Sequence, residues 1–267
     1  MTKTAAEIED DRQIRELLQN WAIWRDAGDW ERFRTVWHPD GRMMATWTQG
    51  TGDEFIEISK AAWAKGVNIL HFLGGISVDL AGSRAIAQTK MTISQRAEVE
   101  GVLCDVLCTG RFYDFLEKRQ GKWGIVLRQP IYEKDRMDPV TPGAVPALDD
   151  VLLEQFPVGY RHLAYLQTRI GYTVKRDMPG LKGPEVEALY ARGRPGSRAS
   201  RCDQSGGRRV RSGAAQPDAL ATCLRPAPSD PAKPKSRSMP GDVREHGRGG
   251  AAADRDPICP APDRRER

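Results

Sequence analysis

Between residues 70 and 134 the chain offers four strand-like runs in succession: Leu70–Leu80, Ala85–Val99, Val102–Glu117 and Trp123–Lys134. Only AGSR (Ala81–Arg84), EVEG (Glu98–Gly101) and KRQGK (Lys118–Lys122) separate them. Connections this short join antiparallel neighbours, because a parallel pair needs a crossover of about a dozen residues or more. An antiparallel meander therefore dominates the chain. The segments before and after it must bury their apolar faces against that sheet.

Three helical segments are predicted ahead of the meander. The first spans residues 4–27, with Thr4 as cap and Glu7 completing a capping box. Ile14, Leu17, Leu18, Trp21, Ala22, Ile23 and Trp24 cover nearly its whole circumference, the pattern of a helix buried on all sides. Gly28 ends it, and Asp29 can cap a second helix from Trp30 to Trp37. HPDG (His38–Gly41) reads as a turn, Arg42–Thr48 as a strand, and Gly50 and Gly52 as loop glycines. Asp53 can cap a third helix reaching Lys65. Helices segregated from an antiparallel sheet make an α+β fold. Beyond the meander, residues 138–160 are Pro-rich and mostly loop. Arg161–Tyr172 and Pro184–Gly193 read as helices that cover one end of the sheet or serve an oligomer interface.

The last part of the chain has a different composition. All seven Trp and all six Phe precede residue 157, and the last Tyr is Tyr190. Residues 191–267 carry fifteen Arg and two Lys against seven Asp and two Glu, a surplus of eight positive charges. With the whole chain at +5, residues 1–190 are left at −3, so the basic balance belongs to the tail. Arg, Pro, Gly, Ala and Ser cannot bury enough apolar surface to offset chain entropy, which predicts disorder. A nucleic-acid arm is disfavoured, since acidic residues interrupt the tail and no aromatics are present for stacking. The same composition is what GC-rich codons yield in a shifted frame, so a frameshift near Arg194–Gly196 is a second reading. Five Cys without CxxC or zinc spacing, no signal core and no apolar run of about 20 residues predict a reduced, cytoplasmic protein without metal or membrane.

Three residues stand out as chemically expensive. Asp26 ends an apolar helix, where a carboxylate faces the negative end of the helix dipole. Either it points to water or something in the fold compensates it. His71 opens an apolar run, as a core histidine bonded to backbone or as a general base oriented by a carboxylate. Arg128 sits inside an apolar strand and needs an acidic partner, or it binds an oxyanion or leaving group.

The stretch WRDAGDWERFRTVWHPDGRM, the run NILHFLGGISV some 45 residues after Asp26, and the element order resemble the SnoaL-like group of the nuclear transport factor 2-like superfamily. The resemblance covers roughly residues 7–137. It implies a cone-shaped α+β barrel with a deep apolar pocket over residues 1–137. A loop and helical extension would follow over 138–193, and the tail over 194–267. Within the group the sequence resembles scytalone dehydratase, bile acid 7α-dehydratase and hexachlorocyclohexane dehydrochlorinase. There an aspartate orients a histidine that removes a proton while water or chloride leaves. The resemblance assigns these roles to Asp26 and His71, and that of a pocket arginine to Arg128. Five residues before the aspartate those enzymes carry Tyr or Lys, whereas here Trp21 stands, whose indole can only donate. Trp21, Met43, Trp47, Phe72, Phe112 and Tyr132 are the expected substrate-lining residues, suited to a small apolar ring compound. The expectation is a cofactor-independent lyase that assembles as a homo-oligomer, dimer or trimer. An isomerase or cyclase, a non-catalytic binder, and a structural subunit like those of ring-hydroxylating dioxygenases are the alternatives.

Overall fold

The computed structural model describes residues 2–194 of the 267. The expected tail lies, from residue 195 onward, outside the described residues. Helix α1 (Ala5–Asp26) carries the expected Thr4–Glu7 capping box. It closes in a Schellman turn, with the Gly28 N–H on the Arg25 carbonyl and the Asp29 N–H on the Trp24 carbonyl. Gly28 supplies the left-handed backbone this requires (φ 71°). Helix α2 (Trp30–Arg34) is capped by Asp29 as expected but stops well short of Trp37.

Trp37 instead begins strand β1 (Trp37–Met44), so HPDG is strand rather than a separate turn. Five steps along β1, from Trp37 to Arg42, match only two along its neighbour, from Ile125 to Leu127. The turn-forming residues are absorbed as a large bulge. Gly50 lies in a short strand β2 (Gln49–Thr51), and Gly52 opens helix α3 (Gly52–Ala64). The cap of α3 is Thr51, with Glu54 closing a second capping box; Asp53 lies in the first turn and pairs with Arg34. Two strands, not one, therefore stand between α2 and α3.

The meander follows as β3 (Asn68–Ala81), β4 (Arg84–Val99), β5 (Val102–Arg119) and β6 (Lys122–Pro139). Its last two hairpins turn on positive-φ pairs, Glu100–Gly101 and Gln120–Gly121, the twist that suits two-residue loops. The six strands run β2-β1-β6-β5-β4-β3, all antiparallel except β1 beside β6. The α+β class with a curved sheet stands as expected, and the sheet is open between β2 and β3 rather than closed. Short helix α4 (Asp150–Leu153), α5 (Arg161–Arg169) and α6 (Pro184–Gly193) complete the described chain.

One core joins α1, α3 and α5 to the sheet, with Trp21, Phe33, Phe55, Phe112, Leu163 and Leu166 among its buried members. Helix α1 is not buried on all sides: Ile23 is 65% exposed, and its buried stripe is Ile14, Leu18, Trp21, Ala22 and Arg25. The helix lies on one layer of sheet, so only one stripe can be covered. Segment 161–180 folds back onto the sheet. The Asp135 carboxylate accepts the Leu163 N–H while holding the His162 ring, which caps α5 from β6. His162 thereby helps anchor the start of α5 to β6.

Arg128 is fully buried and makes a two-point pair with Asp114, at 2.7 and 2.8 Å. Its guanidinium lies against both the Trp21 and Phe112 rings, 4.3 Å from each centroid, and the two rings meet edge to face at 5.3 Å. This is the structural alternative for Arg128. Its partner is on the adjacent strand, at the paired position. Removing one member strands the other charge without solvent. Asp114→Asn should therefore lower unfolding free energy by about 3–5 kcal/mol, read as a drop in urea midpoint at unchanged slope. The double change Asp114→Leu with Arg128→Met should cost less than the single one.

Candidate active site

Strand β3 is the sheet edge, so alternate N–H and C=O groups along it have no ladder partner. Helix α1 supplies partners from its side chains. The Arg15 guanidinium donates to the Ile76 carbonyl (2.8 Å), Arg25 Nη1 donates to the Ile69 carbonyl (2.9 Å), and the Asp26 carboxylate accepts the His71 backbone N–H (2.6 Å). The second Asp26 oxygen meets His71 Nδ1 at 2.8 Å and Arg25 Nη1 at 3.2 Å. The carboxylate that faces the unfavourable end of α1 is thus held by an edge N–H, an imidazole and a guanidinium. An ionised carboxylate only accepts, so Nδ1 carries the proton and Nε2 keeps its lone pair.

Strand alternation aims the ring inward. Ile69, His71 and Leu73 face the helices, while Leu70 and Phe72 face out, Phe72 at 62% exposure. Phe72 therefore does not line the pocket as expected, because the residue after an inward-facing histidine must face the other way. His71 lines an interior cavity of about 30 Å³ with Met43, Trp47, Phe112 and Tyr132, four of the expected lining residues. Trp21 and Arg128 are not part of that wall. Trp21 is fully buried and stands edge-on to the His71 ring, 5.1 Å between centroids, so it buttresses the histidine from the core. Arg128 lies one layer further, beneath Trp21 and Phe112.

Burial raises the cost of charge on both partners. For Asp26 it pushes the pKa up, but the bonds from His71 and the attraction of Arg25 outweigh it, and the carboxyl titrates below its ordinary value. For His71 burial dominates, Asp26 opposes it, and Arg25 and Arg128 add repulsion, so the imidazole titrates below its ordinary value and is neutral near pH 7. A neutral imidazole fixed in one tautomer beside a cavity is competent to take a proton. Burial also pushes the Tyr132 phenol far above its ordinary value, keeping it protonated on the cavity wall.

Several lining groups escaped the sequence reading. Arg25 sits beside Asp26 on the cavity wall, and its signal in the sequence is the charged pair at the end of an apolar helix. Gln95 from β4 and Leu163 and Gln167 from α5 complete the wall. Gln167 accepts the Thr46 hydroxyl at 2.6 Å, and Trp47 packs on Tyr172 at 5.4 Å, so the returning C-terminal segment closes the cavity. No single-residue signal marks a contact between positions 46 and 167. Among the described residues no cluster of His, Cys, Asp or Glu is arranged to hold a metal ion.

Residues 6–129 match the SnoaL-like domain family. The chain is 41% identical to pea pathogenicity protein 2 of Fusarium vanettenii over 172 residues, 63% of this chain and 74% of that one. It is 36% identical to the uncharacterized protein AN9274 of Emericella nidulans over 194 residues, 67% of this chain and 82% of that one. Among solved structures it resembles a candidate scytalone dehydratase from Novosphingobium aromaticivorans at 15% identity and TM-score 0.44, covering 55% of this chain and 99% of that one. A hexachlorocyclohexane dehydrochlorinase of type 2 aligns at 11% identity and TM-score 0.43, covering 53% and 97%.

The Asp26 pKa lies below its unfolded value, so its stabilising contribution is present above the unfolded value and is lost as pH falls through the folded one. Asp26→Asn cannot accept from both His71 groups and should cost about 1–3 kcal/mol at pH 7. In denaturant titrations the gap between the two proteins should narrow as pH falls below the carboxylate range.

Proposed function

The chain belongs to the SnoaL-like domain family, and from that premise we propose that it is a cofactor-independent lyase of the dehydratase type, with His71 as general base. The observation that carries the proposal is the 2.8 Å contact between Asp26 and His71 Nδ1 on a ring that lines a largely apolar cavity. Asp26 fixes the tautomer and stabilises the imidazolium that forms, the role of the carboxylate in a hydrolase triad. His71 Nε2 takes a proton from a carbon next to an activating group. The electron pair left on carbon forms the new double bond as hydroxide departs from the neighbouring carbon. Since Trp21 cannot donate a proton by ionising, the imidazolium itself returns its proton to the departing hydroxide, giving water. An isomerase would use the same base and return the proton to another carbon.

Met43, Trp47, Phe112 and Tyr132 favour a small apolar ring compound as substrate. About 30 Å³ holds one or two waters and not a ring. Binding therefore requires the Thr46–Gln167 bond and the Trp47–Tyr172 contact to part, which makes the C-terminal segment a lid over the base.

The test is a panel of hydroxylated and halogenated ring compounds incubated in deuterium oxide, followed by mass spectrometry for elimination and for exchange at carbon. The wild type should exchange or eliminate on at least one of them, and His71→Gln should reduce that rate by about a hundredfold or more. The rate on kcat/KM should fall on the acid side with an apparent pKa below the ordinary histidine value, because only the neutral ring is a base. Binding without exchange across the panel, unaltered by His71→Gln, would leave a ligand-binding protein.

A further inference from the structure

Beside the His71 cavity lies a second, smaller one of about 10 Å³, and the two share Arg25, Trp47, Ile69, Gln95 and Gln167 as walls. Three buried polar atoms there have no hydrogen-bond partner among the described residues: Arg25 Nε, Ser59 Oγ and Gln95 Oε1. Their residues are 5%, 1% and 2% exposed and come from α1, α3 and β4. Trp21 Nε1, Trp37 Nε1, Thr89 Oγ1 and Arg128 Nη1 are also buried without a partner among the described residues, but Arg25, Ser59 and Gln95 share the wall of one cavity. Three groups left unmatched on the wall of one cavity, one of them a cation, are expensive to maintain. Among the described residues Arg25 bonds through Nη1, to Asp26 and Ile69, and burial works against its charge.

We propose that Arg25, Ser59 and Gln95 form an oxygen-binding subsite contiguous with the His71 cavity, and that the ligand is a ring compound bearing a hydroxyl or enolisable carbonyl oxygen. One hydroxyl satisfies all three atoms, accepting from Arg25 Nε and the Ser59 hydroxyl and donating to Gln95 Oε1. This rests on the reading of His71 as a base and narrows it. Where the activating group of the substrate is a carbonyl, its oxygen accepts from Arg25 and the Ser59 hydroxyl, and the Gln95 amide turns to present its N–H in place of Oε1. His71 takes the proton from the adjacent carbon, the C–H electron pair forms an enolate, and Arg25 and Ser59 stabilise the oxygen as its charge grows. The enolate then collapses to expel hydroxide, which takes the proton back from His71.

Phenol and toluene, which have nearly the same shape, separate the subsite from the apolar wall. Their binding is measured on the full chain by calorimetry, with the change in tryptophan fluorescence as a second readout. The wild type should prefer phenol by about tenfold or more. Ser59→Ala and Gln95→Leu should each weaken phenol by about three- to tenfold and leave toluene within about twofold. Ser59→Ala removes an unmatched buried hydroxyl from a helix, so it should fold at least as well as the wild type. Equal affinity for phenol and toluene, no binding of either, or variants that leave the preference intact would overturn the proposal. His71→Gln separates it from the catalytic reading. A phenol preference that survives in that variant, with no exchange of cyclohexanone protons by the wild type, keeps the subsite and removes the base. Exchange that depends on His71 without any phenol preference does the reverse.

Discussion

The open edge of β3 is the constraint on which the rest of this structure turns. An edge strand presents unpaired N–H and C=O groups that must be satisfied or shielded. Here α1 lies along it, and Arg15, Arg25 and Asp26 take up the Ile76 carbonyl, the Ile69 carbonyl and the His71 N–H. The closure of the edge and the positioning of the dyad are therefore one arrangement. A carboxylate at the end of α1 is tolerated because the strand edge and imidazole hold it. The imidazole is oriented because that carboxylate is anchored through two oxygens.

Behind the dyad the charges are stacked in layers. Asp114 holds Arg128, Arg128 lies against Trp21 and Phe112, and Trp21 stands edge-on to His71. Both buried guanidinia, Arg25 and Arg128, repel a proton on His71, while Asp26 attracts one. Burial adds to the repulsion, so the ring stays neutral without losing its orientation. The arginine that the family resemblance assigns to the pocket acts here through a wall of aromatic rings, and Arg25, one residue before the aspartate, is the guanidinium at the cavity.

The C-terminal segment gives the site its enclosure. Asp135 anchors the start of α5, Gln167 bonds Thr46, and Tyr172 packs on Trp47. Without these contacts the mouth between β1, β3 and β4 would lie open to water, and the low dielectric that strengthens the Asp26–His71 pairing would be lost.

The sequence by itself determined the elements whose causes are local. The capping box at Thr4, the Asp29 cap, the glycine after α1 and the short turns of the meander all act within a few residues, and each lies where it was read. The Asp26–His71 pair was legible only through the family resemblance, since spacing of 45 residues carries no geometry. Tertiary structure decided the rest. It turned HPDG into a bulge because β6 was available to pair with, and it exposed Ile23 and Phe72 because one layer covers one face. It gave Arg128 to Asp114 rather than to a ligand, and brought Gln95, Ser59 and Gln167 to one cavity wall. Those outcomes depend on which strands become neighbours, and residue type alone does not specify that.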